Sequence, residues 1–250
     1  MKITNLGFPR IGRQRELKFA LEKYWRGEIN QSQLVQVADE LKKLHWDWQS
    51  QAGVELLPVG DFAYYDQVLT LSATLNAIPK RHRDFDSQGN ENPIDLDTLF
   101  RVARGRAPSG QHACAAEMTK FFNTNYHYQV PELSQDQQFN IAYTQIFDEV
   151  TQAQSLGYQA KPVLLGPVTY LYLSKTVGEF DKLSLLQQLL ETYQNILARF
   201  AEQGVNWVQL DEPILAADLS ADWQEAIRHS YQVFAQHKPQ TVRLLLASYY

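Results

Sequence analysis

Arg10, Arg13, Arg15 and Lys18 stand close together near the start of the chain, in the run Asn5-Leu-Gly-Phe-Pro-Arg-Ile-Gly-Arg-Gln-Arg-Glu-Leu-Lys18. Guanidinium and ammonium groups at this spacing suit a small, multiply charged anion, because each supplies charge-assisted hydrogen bonds to carboxylates or phosphates. Lys2 to Leu6 reads as a short strand that Gly7, Pro9 and Gly12 break, and a helical pattern begins near Gln14. The cations therefore fall between a strand end and a helix start, where free N–H groups of the first turn would add to anion binding. A solvated basic helix face is the alternative for the same residues.

Other segments also carry chemistry-bearing side chains. Asp61, in Leu57-Pro-Val-Gly-Asp-Phe62, is a strand-end carboxylate or a helix N-cap. Arg104-Gly-Arg-Ala-Pro108 offers two cations in a turn. In Glu117-Met-Thr-Lys-Phe-Phe-Asn-Thr-Asn-Tyr-His-Tyr128, Lys120 could meet an anion, and Phe121, Tyr126 or Tyr128 could stack a flat ring or simply fill a core. Asp211 and Glu212 are adjacent, so on a strand they point to opposite faces and cannot flank one glycosidic bond. His45, His82, His112, His127, His229 and His237 show no metal-ligand spacing, and Cys114 has no cysteine partner, so no zinc site is expected from this chain alone.

The elements that must position these residues follow a repeat: helical stripe, glycine, apolar strand, polar turn. Leu34, Val37, Ala38, Leu41, Leu44 and Trp48 lead to Gly53 and the strand Val54–Val59. Ser134-x-x-Gln137 reads as a capping box, and Phe139, Ala142, Ile146 and Val150 as its stripe, ahead of Gly157 and Lys161–Leu165. Leu186 to Phe200 lead to Gly204 and Val205–Leu210, and Thr241–Tyr250 reads as a further strand. Such alternation predicts an α/β fold of parallel strands covered by helices. With neither a GxGxxG nor a Walker loop, a (β/α)8 TIM-type barrel is favoured over a doubly wound sheet. Five or six strands fall short of the eight a barrel needs, so the barrel is expected to be incomplete and the chain part of something longer.

Composition narrows the function classes. A net charge of -5 argues against general nucleic-acid binding, and the single cysteine excludes an intrachain disulfide. No signal-peptide core and no membrane-length apolar run is present, so the expectation is a cytoplasmic protein with no membrane partner.

Seven segments taken in order carry a resemblance: Leu6-Gly-Phe-Pro-Arg-Ile-Gly12, Arg15-Glu-Leu-Lys18, Leu57-Pro-Val-Gly-Asp-Phe62, Gly105-Arg-Ala-Pro108, Glu117 to Tyr128, Lys161-Pro-Val-Leu-Leu-Gly-Pro167 and Gln209-Leu-Asp-Glu-Pro213. Together they resemble the amino-terminal half of cobalamin-independent methionine synthases. The resemblance implies a methyltransferase of two fused (β/α)8 barrels that moves a methyl group from 5-methyltetrahydropteroyltriglutamate to homocysteine with zinc and without cobalamin. Residues 1–250 would form the amino-terminal barrel, truncated, with the carboxyl-terminal barrel of the same polypeptide as its partner.

Zinc, the homocysteine site and the catalytic groups are implied to lie in that other barrel, so no catalytic residue is expected here and the fragment alone is expected to be inactive. The family's contacts to the folate polyglutamate carry over onto Arg15, Glu16, Leu17, Lys18 and Lys120. One departure is Gln14, where the family pattern implies a second basic residue. A free-standing polyanion-binding module and a purely structural brace are the competing readings, with a barrel hydrolase further behind.

Overall fold

The computed structural model describes residues 2–249. In chain order the first elements are α1 (Glu16–Trp25), α2 (Gln31–Gln51), β1 (Leu56–Val59), α3 (Gln67–Thr74), α4 (Leu96–Arg104), β2 (Met118–Lys120), β3 (His127–Gln129) and β4 (Glu132–Ser134). They are followed by α5 (Gln145–Ser155), β5 (Gln159–Leu165), α6 (Pro167–Leu173), β6 (Lys175–Val177), α7 (Leu186–Glu202), β7 (Trp207–Asp211), α8 (Ala221–His237) and β8 (Arg243–Ala247).

The strands β1-β5-β7-β8 form one parallel sheet in that order, with Pro58 opposite Lys161, Val163 opposite Gln209 and Asp211 opposite Ala247. Each later strand joins the same growing edge, and helices run between them, which is the progression of a (β/α) barrel left open. Gly53, Gly157 and Gly204, all at positive φ, end the helices before β1, β5 and β7 as the repeat predicts. Residues 2–6, expected as a strand, make only one parallel bridge, Thr4 to Leu56.

Period-2 alternation divides the sheet. Leu164, Val208 and Leu210 pack in one cluster with Phe147 and Val150 of α5 and with Leu189, Tyr193, Ile196, Leu197 and Phe200 of α7. Burial of each such side chain contributes about 1.5–3 kcal/mol. The opposite face carries Lys161, Val163 and Leu165 on β5 and Gln209 and Asp211 on β7, so polar side chains line what would be the barrel interior.

Two local expectations are corrected. Ser134 ends β4, pinned because β4 pairs with β6, and its hydroxyl donates to Asp136; α5 starts only at Gln145. The reciprocal box sits instead at the start of α2, where Asn30 and Gln33 each accept the other's backbone N–H at 2.9 Å. The strand read through Tyr250 is observed over Arg243–Ala247, and Tyr250 itself lies outside the described residues.

Candidate functional site

Along the interior face of the sheet and at the carboxyl ends of its strands, where barrel enzymes place their chemistry, the polar side chains are engaged with the chain itself. Lys161 lies in the first half of β5 and Gln209 in the middle of β7, whereas Asp61, Asp211 and Glu212 stand at or just beyond strand ends. Lys161, fully buried, donates to the carbonyl of Asn5 at 2.6 Å and to the side-chain oxygen of Gln209. Gln209 donates to the carbonyl of Leu6 at 2.9 Å and to Asp211 at 2.7 Å. Asp61 accepts the N–H of Phe8 at 2.7 Å, so it does not cap a helix; Asp66 caps α3 through the N–H of Leu69 at 2.8 Å. Glu149, buried on α5, accepts from the N–H of Gly60 at 2.8 Å and pairs with Lys42 at 3.7 Å.

Asp211 and Glu212 diverge, as alternation requires. Glu212 turns to the start of α6 and accepts from the N–H of Thr169 at 2.8 Å, the N–H of Val168 at 3.3 Å, the Thr169 hydroxyl and the Tyr231 hydroxyl at 3.3 Å. The fit depends on Gly166, where a Cβ would lie 2.1 Å from the Glu212 carboxyl carbon. Burial pushes Asp61 and Asp211 up to about 6 and Glu212 up to about 7, and it lowers Lys161 to about 8. These shifts come from structural burial of hydrogen-bonded groups rather than from a pair poised across one bond.

The cationic turn is built differently. Gly12, at φ 84, leaves room for the Glu16 carboxylate, which folds back to accept the N–H of Gln14 at 2.9 Å; a Cβ on Gly12 would lie 2.0 Å from that oxygen. The N–H groups of Arg15 and Leu17 bond to the carbonyls of Gly12 and Ile11. The helix-start N–H groups expected to help an anion are thus largely occupied, and the cationic side chains carry the site's charge. Arg15 begins α1 in the left-handed region, φ 63, which disfavours any side chain bearing a Cβ.

Arg13, Arg15, Lys18 and Lys120 are exposed. The Arg13 guanidinium lies 4.7 Å over the Trp48 ring, and Lys18 stands 3.8 Å from Glu22. Arg10 is drawn into the fold, donating to the carbonyl of Tyr65 and lying beside the Tyr126 hydroxyl. Lys120 ends β2, opposite His127 on β3 and one residue from Tyr126, so Arg10 links the turn to the β2–β3 hairpin.

Of the five residues singled out for binding, Arg15, Lys18 and Lys120 present charge to solvent. Glu16 closes the turn, and Leu17 is fully buried. Phe121 and Tyr128 form an edge-on aromatic cluster with Tyr126, and the Tyr128 hydroxyl donates to the carbonyl of Leu173, so the core reading holds for them.

Sequence reasoning missed Lys161 and Gln209 as site-forming groups. Their signal was present: a lysine and a glutamine inside otherwise apolar strands require buried partners. Among the described residues no group of three or more His, Cys, Asp or Glu side chains is arranged to hold a metal ion.

A family model described as the N-terminal domain of cobalamin-independent synthase matches residues 2–250. A Shewanella oneidensis protein named 5-methyltetrahydropteroyltriglutamate–homocysteine methyltransferase is 68% identical over 251 residues, covering 100% of this chain and 32% of the relative. A protein of the same name from Proteus mirabilis is 56% identical, again covering 100% of this chain and 32% of its own length. The chain therefore spans about a third of these relatives.

Among solved structures, one from Listeria monocytogenes, named as a candidate vitamin-B12-independent methionine synthase, aligns with a TM-score of 0.63 at 15% identity over 98% of this chain and 65% of that one. A B12-independent methionine synthase from Shewanella sp. W3-18-1 aligns at 0.51 and 13% identity over 87% of this chain and 53% of that one. At these identities the structural likeness concerns the fold, which agrees with an incomplete barrel. The family match over residues 2–250 and the sequence identities together show that the chain belongs to the cobalamin-independent synthases, in the amino-terminal domain of that family.

Proposed function

We propose that this chain is the folate-polyglutamate-binding, amino-terminal portion of a methyltransferase that converts homocysteine to methionine with 5-methyltetrahydropteroyltriglutamate. The observation that carries the reading is a division of charge. The strand-end carboxylates are hydrogen-bonded within the fold, whereas Arg15 and Lys120 are exposed and make no ion pair among the described residues. A triglutamate tail is a small polyanion, and Arg15, Lys18 and Lys120 would meet its carboxylates with charge-assisted hydrogen bonds. Glu16 and Leu17 would serve by fixing the helix start that presents the two α1 cations.

Homocysteine, zinc and the groups that perform transfer are assigned to the carboxyl-terminal barrel of the longer polypeptide, in keeping with the relatives' threefold greater length. No helix among the described residues is long and apolar enough to cross a membrane, and we place the enzyme in the cytoplasm.

Steady-state kinetics of the full-length protein test the site. Lys18→Ala and Lys120→Ala each raise KM for the triglutamate substrate about three- to tenfold, roughly 0.6–1.4 kcal/mol, and raise it less for a monoglutamate analogue. Equal effects on both substrates would remove the tail-binding assignment.

A further inference from the structure

We propose that Lys161, Gln209 and Asp61 form a clamp that positions the cationic turn for its anion. The proposal rests on the tail-binding reading above and identifies what holds that site in place. The segment Asn5–Phe8 leaves the sheet after the single Thr4 bridge, so its peptide groups have no strand to pair with. Three side chains from three successive parts of the sheet take over. Lys161 on β5 binds the Asn5 carbonyl at 2.6 Å, Gln209 on β7 binds the Leu6 carbonyl at 2.9 Å, and Asp61 just beyond β1 binds the Phe8 N–H at 2.7 Å.

Burying a lysine and a glutamine at 0% exposure is unfavourable unless their hydrogen bonds are made. The neighbouring position on the same face of β5 carries Val163, so apolar side chains are tolerated on this face. The polar pair reaches the amino-terminal segment, which an apolar pair could not hydrogen-bond.

The clamp is coupled to the cations by short, stiff chain and by one shared ring. Pro9 fixes φ between the clamped Phe8 and Arg10, whose guanidinium is itself held at Tyr65 and beside Tyr126. The Phe8 ring packs 4.9 Å from His45 and 6.4 Å from Trp48, and Trp48 carries the Arg13 guanidinium at 4.7 Å. A shift of Phe8 therefore moves the ring on which Arg13 rests.

The test uses the full-length protein and two readouts, hydrogen exchange of residues 5–12 and the ratio of KM for monoglutamate to KM for triglutamate substrate. Gln209→Met keeps the volume and removes the donor to Leu6, together with the acceptor of Lys161 and the donor to Asp211. It speeds exchange in residues 5–12 by tenfold or more relative to β5 and β7, and it lowers the KM ratio about three- to tenfold. Asp61→Ala does the same, and Asp61→Asn, which retains an acceptor for the Phe8 N–H, recovers most of both. If Gln209→Met does not fold, the two Asp61 variants carry the same test.

Faster exchange with an unchanged ratio, unchanged exchange, or a fall in kcat with no change in the ratio would each overturn the clamp. Lys18→Ala serves as the control. If it shifts the ratio and the clamp variants do not, only the clamp fails; if it leaves the ratio unchanged, the tail-binding reading fails and the clamp's role falls with it.

Discussion

The strand ends and the cationic turn lie a few residues apart in space, joined through Phe8 and Asp61, yet they treat charge in opposite ways. On the interior face of the sheet and at its strand ends, ionisable groups are buried and hydrogen-bonded to the chain. Lys161 spends its donors on Asn5 and Gln209, Asp211 is held by Gln209, and Glu212 closes the start of α6. In the turn, Arg13, Arg15 and Lys18 remain in solvent, and Arg15 accepts an unfavourable backbone conformation. The place where a barrel usually performs chemistry is here devoted to holding structure, and the available charge has moved to the rim. That distribution fits a domain that captures a substrate for another domain to transform.

The largest effect that would sharpen the contrast is expected at Gly166. Its φ of -70 is ordinary, so the need for glycine is purely the contact with Glu212. Gly166→Ala forces the buried carboxylate out of its four hydrogen bonds and lowers stability by about 3 kcal/mol or more, read by thermal or urea unfolding. Loss of less than about 1 kcal/mol would show that the Glu212 cap is dispensable.

A second, intermediate effect is pH-dependent. Burial raises Asp61 and Asp211 to about 6 and Glu212 to about 7, so the folded state holds these protons more tightly than the unfolded chain, whose carboxylates titrate near 4. Their contribution to stability is complete below about pH 4 and is lost as pH rises through 6 and 7. Lys161, lowered to about 8, acts in the other direction only at higher pH, where the folded state's preference for the neutral amine is progressively recovered. Asp211→Asn removes one of the raised groups, so its melting temperature relative to the parent climbs between pH 4.5 and 7.5. A constant difference across that range would contradict the buried, charge-averse interior.

The smallest effect belongs to the turn. Arg15→Gly relieves the positive φ but frees the unfolded chain, so stability changes by less than about 1 kcal/mol. Triglutamate KM rises severalfold in the full-length protein, because a cation has been removed. A large loss of stability would mean that Arg15 holds the fold, and the division between rim and interior would break.

Much of the scaffold was legible in the sequence because its signals are local. The α2 stripe with its Gly53 ending, and the runs that became β5 and β7, follow from periodicity and glycine placement alone. The segment from 134 to 144 was misread because its apolar residues keep a helical interval, whereas distant partners hold it: β6 pairs with Ser134, and the N–H groups of Asn140 and Ala142 donate to the carbonyls of Leu75 and Thr74. The same non-locality hid the site's framework. Arg15, Lys18 and Lys120 could be singled out by type and motif, but that Lys161 and Gln209 reach back to Asn5 and Leu6 depends on contacts across 156 and 203 residues. No window along the chain contains both partners.

Those long reaches also set an order of events. On the ribosome the cationic turn is made some 200 residues before Gln209, the partner of Leu6, an interval of about 10–40 s at ordinary elongation rates. The turn thus waits for a strand made long after it. Until β7 is laid beside β5, the segment before the turn has Asp61 and Lys161 but lacks Gln209, so its full set of contacts is complete only after β7 has been made.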